Sequence, residues 1–380
     1  MDPFILLDDG PGGAPALFEA PERVIRADDA AGLAAALDSL DAARAAGFWI
    51  AGTAFYEAGH ALLPRLPAPR PAWPGAPLLE MGVFRAPADG AARLQAARAR
   101  AHLADPGPPA PAWDFPRYRA AFDRVMGYIH AGDIYQANLT FPMRLAARGG
   151  ALALYGALMA AQPVGHGALV ALGPRTILSR SPELFFRVGD DGRIEARPMK
   201  GTAARGATPA EDARLGAALA ADEKCRAENL MIVDLLRNDL SRVAEIGSVR
   251  VPALFAVERY ATVHQMTSTV TARLLPGTGL KGLMTALFPC GSVTGAPKIR
   301  AMQIIGELED GPRGPYCGAI GWMAPDGRAA FNVAIRTITL GGEGSARLDV
   351  GGGIVADSTA EAEYEEALCK ARFASALQSV

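Results

Sequence analysis

Alternation of apolar and polar residues predicts strands in the second half of the chain. The segment from Val263 to Leu274 is rich in Thr and Val, which suit a pleated, half-buried surface. The segment from Phe331 to Leu340 alternates, with Phe331 and Ile335 on one predicted face and Arg336 on the other. These segments predict a protein whose core is built largely from sheet.

Segments with helical periodicity occur before, between and after these strands. Helices are predicted over Asp222 to Val243, from Thr294 to Glu309, and from Thr359 to the C-terminus. The run from Gly149 to Pro174 contains no Asp, Glu, Lys or Arg, but polar and glycine residues interrupt its middle. It therefore predicts a helix, a turn and a buried strand, and no membrane span. The mixture indicates an α+β protein with sheets at its core.

A stiff, proline-rich segment from Asp105 to Pro116 separates two regions of different composition. The residues before it are rich in Ala, Pro and Arg and carry few features of a functional site, whereas the pattern after it is denser. We predict an N-terminal region over residues 1–112 and a catalytic region over residues 113–380. The segment is also consistent with a long surface connection inside one domain.

Composition and charge narrow the class of protein. The chain has 380 residues, 50% of them hydrophobic, which suffices for a large core. A net charge of −2 argues against a nucleic-acid binder, which usually carries a basic patch. The acidic start lacks the positive charge of a secretory signal, and the four cysteines form no CxxC pair. We therefore expect a reduced, cytoplasmic protein without a structural zinc site.

Two predicted helices carry carboxylates suited to binding a cation. Glu363 and Glu366 are spaced i, i+3 and share one helix face, and Glu228 lies in the helix predicted from Asp222. Carboxylates that converge from separate helices can hold a hard cation such as Mg²⁺, which prefers oxygen ligands. Glutamates on surface helices more often face water, so their spacing leaves both interpretations open.

Three features favour the binding of anions. The segment from Gly291 to Lys298 leads into a predicted helix with Thr294 as its N-cap, and free backbone N–H groups there can bind a carboxylate. Gly351 to Gly353 let a ligand approach the backbone closely, and Arg336 offers a fork for a carboxylate. The alternatives are a tight turn, a bulge and an arginine that snorkels to the surface. Taken together, the three anion-binding features fit a substrate with more than one carboxylate.

Lys200 and His264 are candidates for covalent and acid–base chemistry. Lys200 lies between a proline-containing extended segment and a Gly-Thr turn. A lysine is nucleophilic only when it is neutral, so this role needs burial or a nearby cation such as Mg²⁺. An ordinary surface lysine is the alternative. His264 begins the Thr-rich strand, as either a general acid or a hydrogen-bonded core histidine.

Eight segments occur in the order found in one enzyme family. They are DIYQANLT, SRSPELFFRV, RPMKGTAARG, RAENLMIVDLLRNDLSRV, VHQMTSTV, GSVTGAPKIRAM, FNVAIRT and GGGIVADS. In this order the chain resembles the chorismate-utilising enzymes, which include anthranilate, aminodeoxychorismate, isochorismate and salicylate synthases. The resemblance is dense from Phe115 to Phe373 and thin before it.

The resemblance implies a fold and a metal site. The expected fold is two large antiparallel β-sheets packed as a sandwich, with helices outside, the active site in a cleft, and the N-terminal region contributing to the sandwich. The family's Mg²⁺ ligands match Glu228 and Glu366, with Glu363 close to the same site. Cys225 departs from the family pattern, because many relatives have an acidic residue or Asn at this position.

The resemblance also implies how chorismate is held. Arg336 and Tyr316 match residues that bind the pyruvyl carboxylate, and His264 matches a histidine near the C4 hydroxyl that leaves. The other expected substrate contacts come from glycine-containing segments and the residues around them: Gly352, Gly353, Thr294, Gly295 and Lys298.

Two positions distinguish branches of the family. Gln136 stands where isochorismate and salicylate synthases have a lysine that activates water, which disfavours addition of water at C2. Lys200 gives the reading PMKGT, where anthranilate synthases typically read PIAGT. The lysine form resembles the aminodeoxychorismate synthases, in which the lysine is thought to attack C2 and expel the C4 hydroxyl before ammonia attacks C4.

The same resemblance implies partners. No glutamine amidotransferase segment is evident, so we expect ammonia to come from a separate glutaminase subunit and a separate lyase to complete p-aminobenzoate for folate. Two alternatives remain open at this point. One is anthranilate synthase component I, and the other is a non-catalytic regulator on the same scaffold that binds chorismate or tryptophan.

Overall fold

The computed structural model describes residues 2–260, 263–342 and 344–375, whose backbone forms 21 strands and 11 α-helices. The strands are β1 Phe4–Leu7, β2 Ala16–Glu19, β3 Arg23–Ala27, β4 Trp49–Ala54, β5 Leu79–Phe84, β6 Ala88–Asp89, β7 Asp105–Pro106, β8 Ala110–Pro111, β9 Gln136–Arg148, β10 His166–Ala171, β11 Thr176–Ser181, β12 Leu184–Val188, β13 Arg193–Arg197, β14 Met199–Ala204, β15 Arg250–Arg259, β16 Val263–Arg273, β17 Gly295–Ala296, β18 Ala319–Met323, β19 Ala329–Val333, β20 Thr337–Leu340 and β21 Ser345–Ile354. The helices are α1 Ala30–Ala45, α2 Ala58–Leu62, α3 Ala91–Ala99, α4 Phe115–His130, α5 Ala151–Ala161, α6 Pro209–Ala221, α7 Glu223–Ser241, α8 Leu280–Leu287, α9 Lys298–Leu308, α10 Ala360–Lys370 and α11 Arg372–Ser375.

The strands form two large sheets. The eleven-stranded sheet has the order β17-β9-β21-β20-β11-β10-β1-β2-β6, with β7 and β8 also paired to β9. The ten-stranded sheet has the order β14-β16-β13-β12-β19-β18-β4-β5-β3, with β15 also paired to β16. Every described pair of neighbouring strands is antiparallel. The predicted α+β fold with two large antiparallel sheets is confirmed.

Hydrophobic side chains fill both the space between the sheets and their outer faces. Between the sheets, Ile5 and Val170 of the eleven-stranded sheet pack in one cluster with Ala51 and Ile320 of the ten-stranded sheet. A second cluster joins the eleven-stranded sheet to α4, α5, α9 and α10, and a third joins the ten-stranded sheet to α1, α7 and α8. Burial of each large apolar side chain contributes about 1.5–3 kcal/mol, which stabilises this sandwich with helices outside.

The first hundred residues supply strands to both sheets. Strands β1, β2 and β6 belong to the eleven-stranded sheet, and β3, β4 and β5 belong to the ten-stranded sheet. The proline-rich segment does not leave the sheet, since β7 and β8 both pair with β9. The division of the chain at residue 112 stays a prediction.

Most predicted elements near the site are confirmed, and two boundaries are corrected. Helix α7 and strand β16 lie where they are predicted, and the uncharged run forms α5, a turn and β10. The helix predicted from Thr294 begins only at Lys298, with Pro297 at the N-cap, so the prediction of Thr294 as N-cap is wrong. Thr294 instead ends a short 3₁₀ turn, where its hydroxyl donates to the carbonyl of Gly291 at 3.2 Å.

The prediction of one continuous strand from Phe331 to Leu340 is also wrong. The segment divides into β19 in the ten-stranded sheet and β20 in the eleven-stranded sheet. Between the two strands, the N–H of Ile335 donates a hydrogen bond to the carbonyl of Val333 at 2.7 Å, and Arg336 has a positive φ of 50°. The chain therefore crosses between the sheets at this link, and Arg336 lies in the crossing.

Across residues 2–260, 263–342 and 344–375, no helix has both the length and the apolar character needed to cross a membrane.

Candidate active site

A cavity of about 660 Å³ lies where the two sheets come together near β21, α7 and α10. Its volume is in the usual range for small-molecule sites. Eight of the residues predicted for a site line it: Lys200, Glu228, Tyr316, Arg336, Gly352, Gly353, Glu363 and Glu366. The structure therefore brings together side chains from β14, α7 and α10 with the bare backbone of β21.

A β-bulge directs Lys200 into the cavity. Strand β14 pairs with β16, but the register shifts between Met199 and Thr202, so Lys200 and Gly201 form the irregular part. Gly201 has a φ of +87°, and its carbonyl accepts a hydrogen bond from Gln265 at 2.8 Å. A bulge reorients the side chains beside it, which explains how a strand residue at the sheet edge comes to point into the cleft.

The glycines of β21 leave the space that the polar side chains occupy. A methyl group at Gly353 would lie 2.7 Å from Lys200 Nζ and 3.0 Å from Gln136 Nε2. A methyl group at Gly352 would lie 2.9 Å from Glu363 Oε2 and 4.0 Å from Glu366 Oε1. Only glycine permits this approach, so Gly352 faces the carboxylates and Gly353 faces the lysine.

The three predicted metal ligands all line the cavity, Glu228 from α7 and Glu363 and Glu366 from α10. Thr359 caps α10, and the carboxylates in its first turn interact favourably with the positive end of the helix dipole. Glu363 accepts from the Ser358 hydroxyl at 2.7 Å, and Glu366 lies 2.7 Å from Lys370 Nζ. Burial raises the pKa of Glu363. Burial also acts to raise the pKa of Glu366, but Lys370, Lys200 and Lys224 together outweigh it and that pKa is lowered.

These carboxylates have the chemistry that Mg²⁺ requires, since hard oxygen donors and a water-accessible cavity suit an ion that keeps several waters. Within the described ranges, they do not converge into a ready group of three or more His, Cys, Asp or Glu side chains. Glu228 Oε2 instead lies 3.4 Å from Lys200 Nζ. The donor set fits Mg²⁺ shared between protein, water and substrate better than a closed protein cage.

Arg336 and Tyr316 form the anion-binding side of the cavity. No carboxylate of the described residues forms a salt bridge with Arg336, and burial lowers its pKa. Tyr316 is buried but lines the cavity. A half-buried guanidinium without an internal partner is a strong site for a ligand carboxylate.

A buried network holds the loop that carries Tyr316. Arg313 is 2% exposed and donates to Glu309, to the carbonyl of Val293 at 2.8 Å and to that of Asn138 at 2.6 Å. Glu57 accepts from the N–H groups of Arg313 and Gly314 at 2.7 and 3.0 Å. Arg313 pairs with the charge of Glu309, and both oxygens of Glu57 accept hydrogen bonds, so the buried polar groups are satisfied and the loop is rigid next to the cavity.

Glu183 is a cavity residue that the sequence did not single out as catalytic. It is 4% exposed, one carboxylate oxygen has no hydrogen-bond partner among the described residues, and burial raises its pKa to about 7. It follows β11 and precedes β12, at a crossing from one sheet to the other. A carboxyl group with this pKa can both donate and accept a proton near neutral pH.

Gln136 is fully buried beside Gly353, on the side that Lys200 also approaches, and is not part of the cavity wall itself. Neither polar atom of its amide has a hydrogen-bond partner among the described residues. The structure thus brings Gln136 and Lys200 to the same glycine, although 64 positions separate them along the chain.

His264 lies outside the cavity. Its neighbours Val263 and Gln265 line the cavity, and because side chains of a strand alternate, His264 points to the opposite face of β16. There it is 1% exposed beneath α6, with Nε2 2.8 Å from the carboxylate of Asp212. Asp212 also accepts two hydrogen bonds from Arg205, at 2.7 and 2.9 Å. The catalytic role predicted for His264 stays a prediction.

Thr294, Gly295 and Lys298 lie outside the cavity wall, whereas the preceding Ser292 and Val293 are part of it. Gly295 belongs to the short strand β17, where it pairs with Ala137 of β9. Lys298 is buried, and its ammonium is neutralised by Asp239 at 2.6 Å and by the Leu287 carbonyl at 2.9 Å. Their roles as substrate contacts stay predictions, and their present contacts hold the wall in place.

Cys225 lines the cavity at the first turn of α7. Asp222 caps this helix by accepting from the Cys225 N–H at 2.7 Å. Burial raises the pKa of the Cys225 thiol to about 11, so it is neutral at physiological pH. It packs against Gly201, where a methyl group would lie 3.0 Å from its sulfur. The Cys225 side chain therefore packs against β14 beside Lys200 and adds no charge near Glu228.

The chain is similar to proteins of known activity. The family described as chorismate binding enzyme matches residues 2–376. This chain is 49% identical to an aminodeoxychorismate synthase of Streptomyces pristinaespiralis over 257 residues. The match covers 68% of this chain and 36% of that protein. It is 46% identical to aminodeoxychorismate synthase component 1 of Klebsiella aerogenes, covering 67% of this chain and 56% of that protein.

Anthranilate synthases are almost as similar. Component 1 from Methanothermobacter thermautotrophicus is 44% identical, with 67% of this chain and 54% of that protein covered. The crystal structure of anthranilate synthase component I from Streptococcus pneumoniae superposes with a TM-score of 0.80 at 26% identity, covering 98% of this chain and 92% of that one. The matches to the curated aminodeoxychorismate synthases span about a third to just over half of those proteins' lengths.

Proposed function

Because the chain belongs to the family of chorismate binding enzymes, we propose that it converts chorismate and ammonia to 4-amino-4-deoxychorismate. The observation that carries this proposal is the position of Lys200, whose ammonium lies in the cavity against Gly353 and 3.4 Å from Glu228. The similarity to aminodeoxychorismate synthases, at 46 to 49% identity over two thirds of the chain, supports the same choice.

Chorismate carries two carboxylates, and the cavity offers a place for each. Arg336 and Tyr316 bind the pyruvyl carboxylate, and the backbone at Gly352 and Gly353 borders the ring. Glu228 and Glu366, with Glu363 beside them, would hold Mg²⁺, which would supply positive charge for the ring carboxylate. This arrangement explains why a cavity rich in glutamates suits a dianionic substrate.

Lys200 acts as the nucleophile in the first half of the reaction. Its neutral amine forms a bond to C2, the ring double bonds shift, and the C4–O bond breaks, so that the hydroxyl leaves as water after protonation. Ammonia then forms a bond to C4, the double bonds shift back, and the lysine amine leaves C2. One ammonia is consumed and one water is released, and the lysine is regenerated.

Glu183 transfers protons in both halves. Its carboxyl, with a pKa of about 7, is available to protonate the departing hydroxyl and afterwards to accept a proton from the incoming ammonia. His264 lies on the face of β16 that is turned away from the cavity. There its hydrogen bond to Asp212 holds α6 against the sheet.

The ammonia comes from a glutamine amidotransferase subunit, and the product goes to a separate lyase that forms p-aminobenzoate for folate. The designation component 1 in the Klebsiella aerogenes relative supports the existence of a second component. A second candidate function is anthranilate synthase component I, favoured by the 44% identity to the archaeal anthranilate synthase. A non-catalytic regulator that binds chorismate or tryptophan is the third.

Product identification tests this proposal. Purified protein is incubated with chorismate, Mg²⁺ and ammonium at mildly alkaline pH, and the products are separated by chromatography with mass detection. We expect 4-amino-4-deoxychorismate, which added lyase converts to p-aminobenzoate. Anthranilate would establish the second function instead, and tight binding of chorismate without turnover would establish the third.

The size-matched variant Lys200→Met tests the covalent step. We expect the wild type to form an adduct heavier by chorismate minus water when ammonia is withheld, and the variant to form none and to lose turnover. Unchanged production of 4-amino-4-deoxychorismate by the variant would remove the role of Lys200. Lys281→Met is the control, because the side chain of Lys281 is partly exposed and pairs with Asp38 at 2.7 Å.

A further inference from the structure

Strand β14 departs from the alternation of a regular strand at Lys200. Its pairing with β16 shifts register between Met199 and Thr202. Lys200 and Gly201, the two residues in between, together oppose the single residue Met266. Met199 and Lys200 both line the cavity, although consecutive residues of a regular strand point to opposite faces. The bulge therefore gives the lysine side chain its direction.

Regular pairing at this point would turn Lys200 away from the cavity. A residue directly opposite Met266 shares its face of the sheet, and Met266 is fully buried outside the cavity wall. His264, two residues earlier in β16, lies on that same face. Because a shift of one residue moves a side chain to the other face, the register at the bulge decides whether the amine reaches the cavity.

The side chain of Gln265 spans this bulge with two hydrogen bonds. Its Nε2 donates to the carbonyl of Gly201 at 2.8 Å, and its Oε1 accepts from the hydroxyl of Thr202 at 2.9 Å. The backbone of Gln265 also lies directly opposite Thr202 in the pairing of the two strands. One amide thus uses a donor and an acceptor on the two residues that follow Lys200.

Two helices also contact the bulge at Gly201. A methyl group at this position would lie 2.9 Å from Cβ of Cys225 in α7 and 3.3 Å from Cδ1 of Leu219 in α6. The φ of +87° at Gly201 favours glycine for a second reason, because other residues rarely adopt it. The hydrogen bonds of Gln265 therefore act on a backbone segment that has little other freedom.

We propose that Gln265 is a positioning residue for the nucleophile Lys200. This inference rests on the proposed function and adds the residue that directs its amine. By bonding Gly201 and Thr202, Gln265 fixes the register that turns the lysine into the cavity. A displacement of a reacting group by about 1 Å can lower the rate roughly 10²-fold, so this register matters for the reaction. Gln265 acts through the backbone of the lysine segment and needs no contact with the substrate.

The rate constant for adduct formation on Lys200 tests the inference. Protein, chorismate and Mg²⁺ are mixed without ammonia, and the adduct is followed in quenched samples by mass detection. Gln265→Leu removes both hydrogen bonds at similar size, and we expect this rate constant and kcat to fall about 10²-fold. The Kd for chorismate should stay as in the wild type, because Arg336 and Tyr316 are unchanged.

Thr202→Val provides a second, milder test, because Thr202 is exposed and its substitution leaves the core intact. It removes one of the two hydrogen bonds, so we expect the rate constant to fall about two- to tenfold. Thr202→Ser keeps the hydroxyl and should restore the rate that Thr202→Val loses. Gln303→Leu is the matched control, because Gln303 donates to the carbonyl of Arg65 at 3.1 Å and lies outside the cavity.

The amount of adduct separates a positioning role from a merely structural one. A displaced lysine forms the full amount more slowly, whereas partial misfolding gives less adduct at the wild-type rate. A wild-type rate constant in both Gln265→Leu and Thr202→Val would overturn the inference, and so would a fall in the amount alone. If the wild type forms neither 4-amino-4-deoxychorismate nor the adduct, the proposed function fails and the inference fails with it.

Discussion

The ammonium of Lys200 lies 3.4 Å from the carboxylate of Glu228, so the predicted nucleophile and a predicted metal ligand are direct neighbours. Lys200 comes from the irregular part of β14 and Glu228 from the second turn of α7. Both side chains are less than one fifth exposed, which strengthens their attraction relative to a surface pair. A cation bound to Glu228 would compete with the lysine for the same carboxylate, which would link the predicted metal site to the predicted nucleophile.

Mg²⁺ binding should depend on Glu228 and Glu366. We expect Mg²⁺ to stabilise the wild type against unfolding by about 2.7 kcal/mol when its concentration is 100 times the Kd. Glu228→Gln and Glu366→Gln should lose most of this gain, because each removes a charged oxygen donor. Thermal unfolding with and without Mg²⁺ measures the effect. Glu361→Gln on the same helix is the control, and an equal Mg²⁺ response in Glu228→Gln would contradict the assignment.

Gly353→Ala should lower turnover about 10²-fold without unfolding the protein. The added methyl group would lie 2.7 Å from Lys200 Nζ, and the flexible lysine must move away to admit it. A displacement of about 1 Å of a reacting group can lower the rate roughly 10²-fold. The kcat and the amount of chorismate adduct on Lys200 measure this displacement.

Gly306→Ala is the control for the glycine substitution. It lies within α9, and nothing is found within 4 Å of the added methyl group. There we expect a gain in stability of about 0.5–1 kcal/mol, because alanine favours the helix, and full activity. Full activity in Gly353→Ala would show that the space beside this glycine is not used.

The raised pKa of Glu183 should make stability fall with rising pH. The folded protein holds the proton up to about pH 7, whereas the unfolded chain releases it near the ordinary value of 4.5. The associated stability is therefore complete below about pH 4.5 and is lost as the pH rises through 7. Between pH 5 and pH 8 this amounts to roughly 2–3 kcal/mol.

Urea denaturation of the wild type and Glu183→Gln at both pH values measures this contribution. We expect the variant to lose less stability than the wild type over the interval, because its side chain does not ionise. Burial also raises the pKa of Glu57 to about 7, but Glu57 is present in both proteins and cancels in the comparison. The same pH dependence in both proteins would mean that Glu183 is not buried as a protonated acid.

Arg313→Met should destabilise the protein by about 3–5 kcal/mol, because it leaves the buried carboxylate of Glu309 without its partner. Arg328→Met removes an exposed pair with Asp326 and should cost about 0–1 kcal/mol. The two unfolding free energies give the comparison. Equal losses would show that the buried network does not stabilise the loop carrying Tyr316.

His264→Gln separates a supporting role from a catalytic one. The variant loses a buried hydrogen bond to the carboxylate of Asp212, which should cost about 1–3 kcal/mol of stability. Because the ring points away from the cavity, we expect kcat to change less than tenfold and its pH profile to keep its shape. A loss of turnover in a stably folded variant, with a changed pH profile, would instead establish His264 as a catalytic residue.

Local patterns predicted much of the site because its residues lie in short segments with clear periodicity. The i, i+3 spacing of Glu363 and Glu366 correctly places both on the helix face that lines the cavity. Side chains of the protein approach Gly352 and Gly353 closely, and the close approach of a ligand there stays a prediction. Alternation failed between Phe331 and Leu340, since a pattern of period two cannot show that a chain leaves one sheet for another.

By itself, the order of residues determined an α+β protein with sheets at its core and the resemblance to chorismate-utilising enzymes, which implied the two-sheet sandwich and eight of the residues that line the cavity. Only the tertiary structure decided that Glu183 lies buried in that cavity and that His264 faces away from it under α6. It also decided that Lys298 is neutralised by Asp239, 59 residues away, and that Asn138 stands opposite Gly353. The physical reason is that periodicity fixes which neighbours share a face, whereas burial and partners depend on which distant elements pack together.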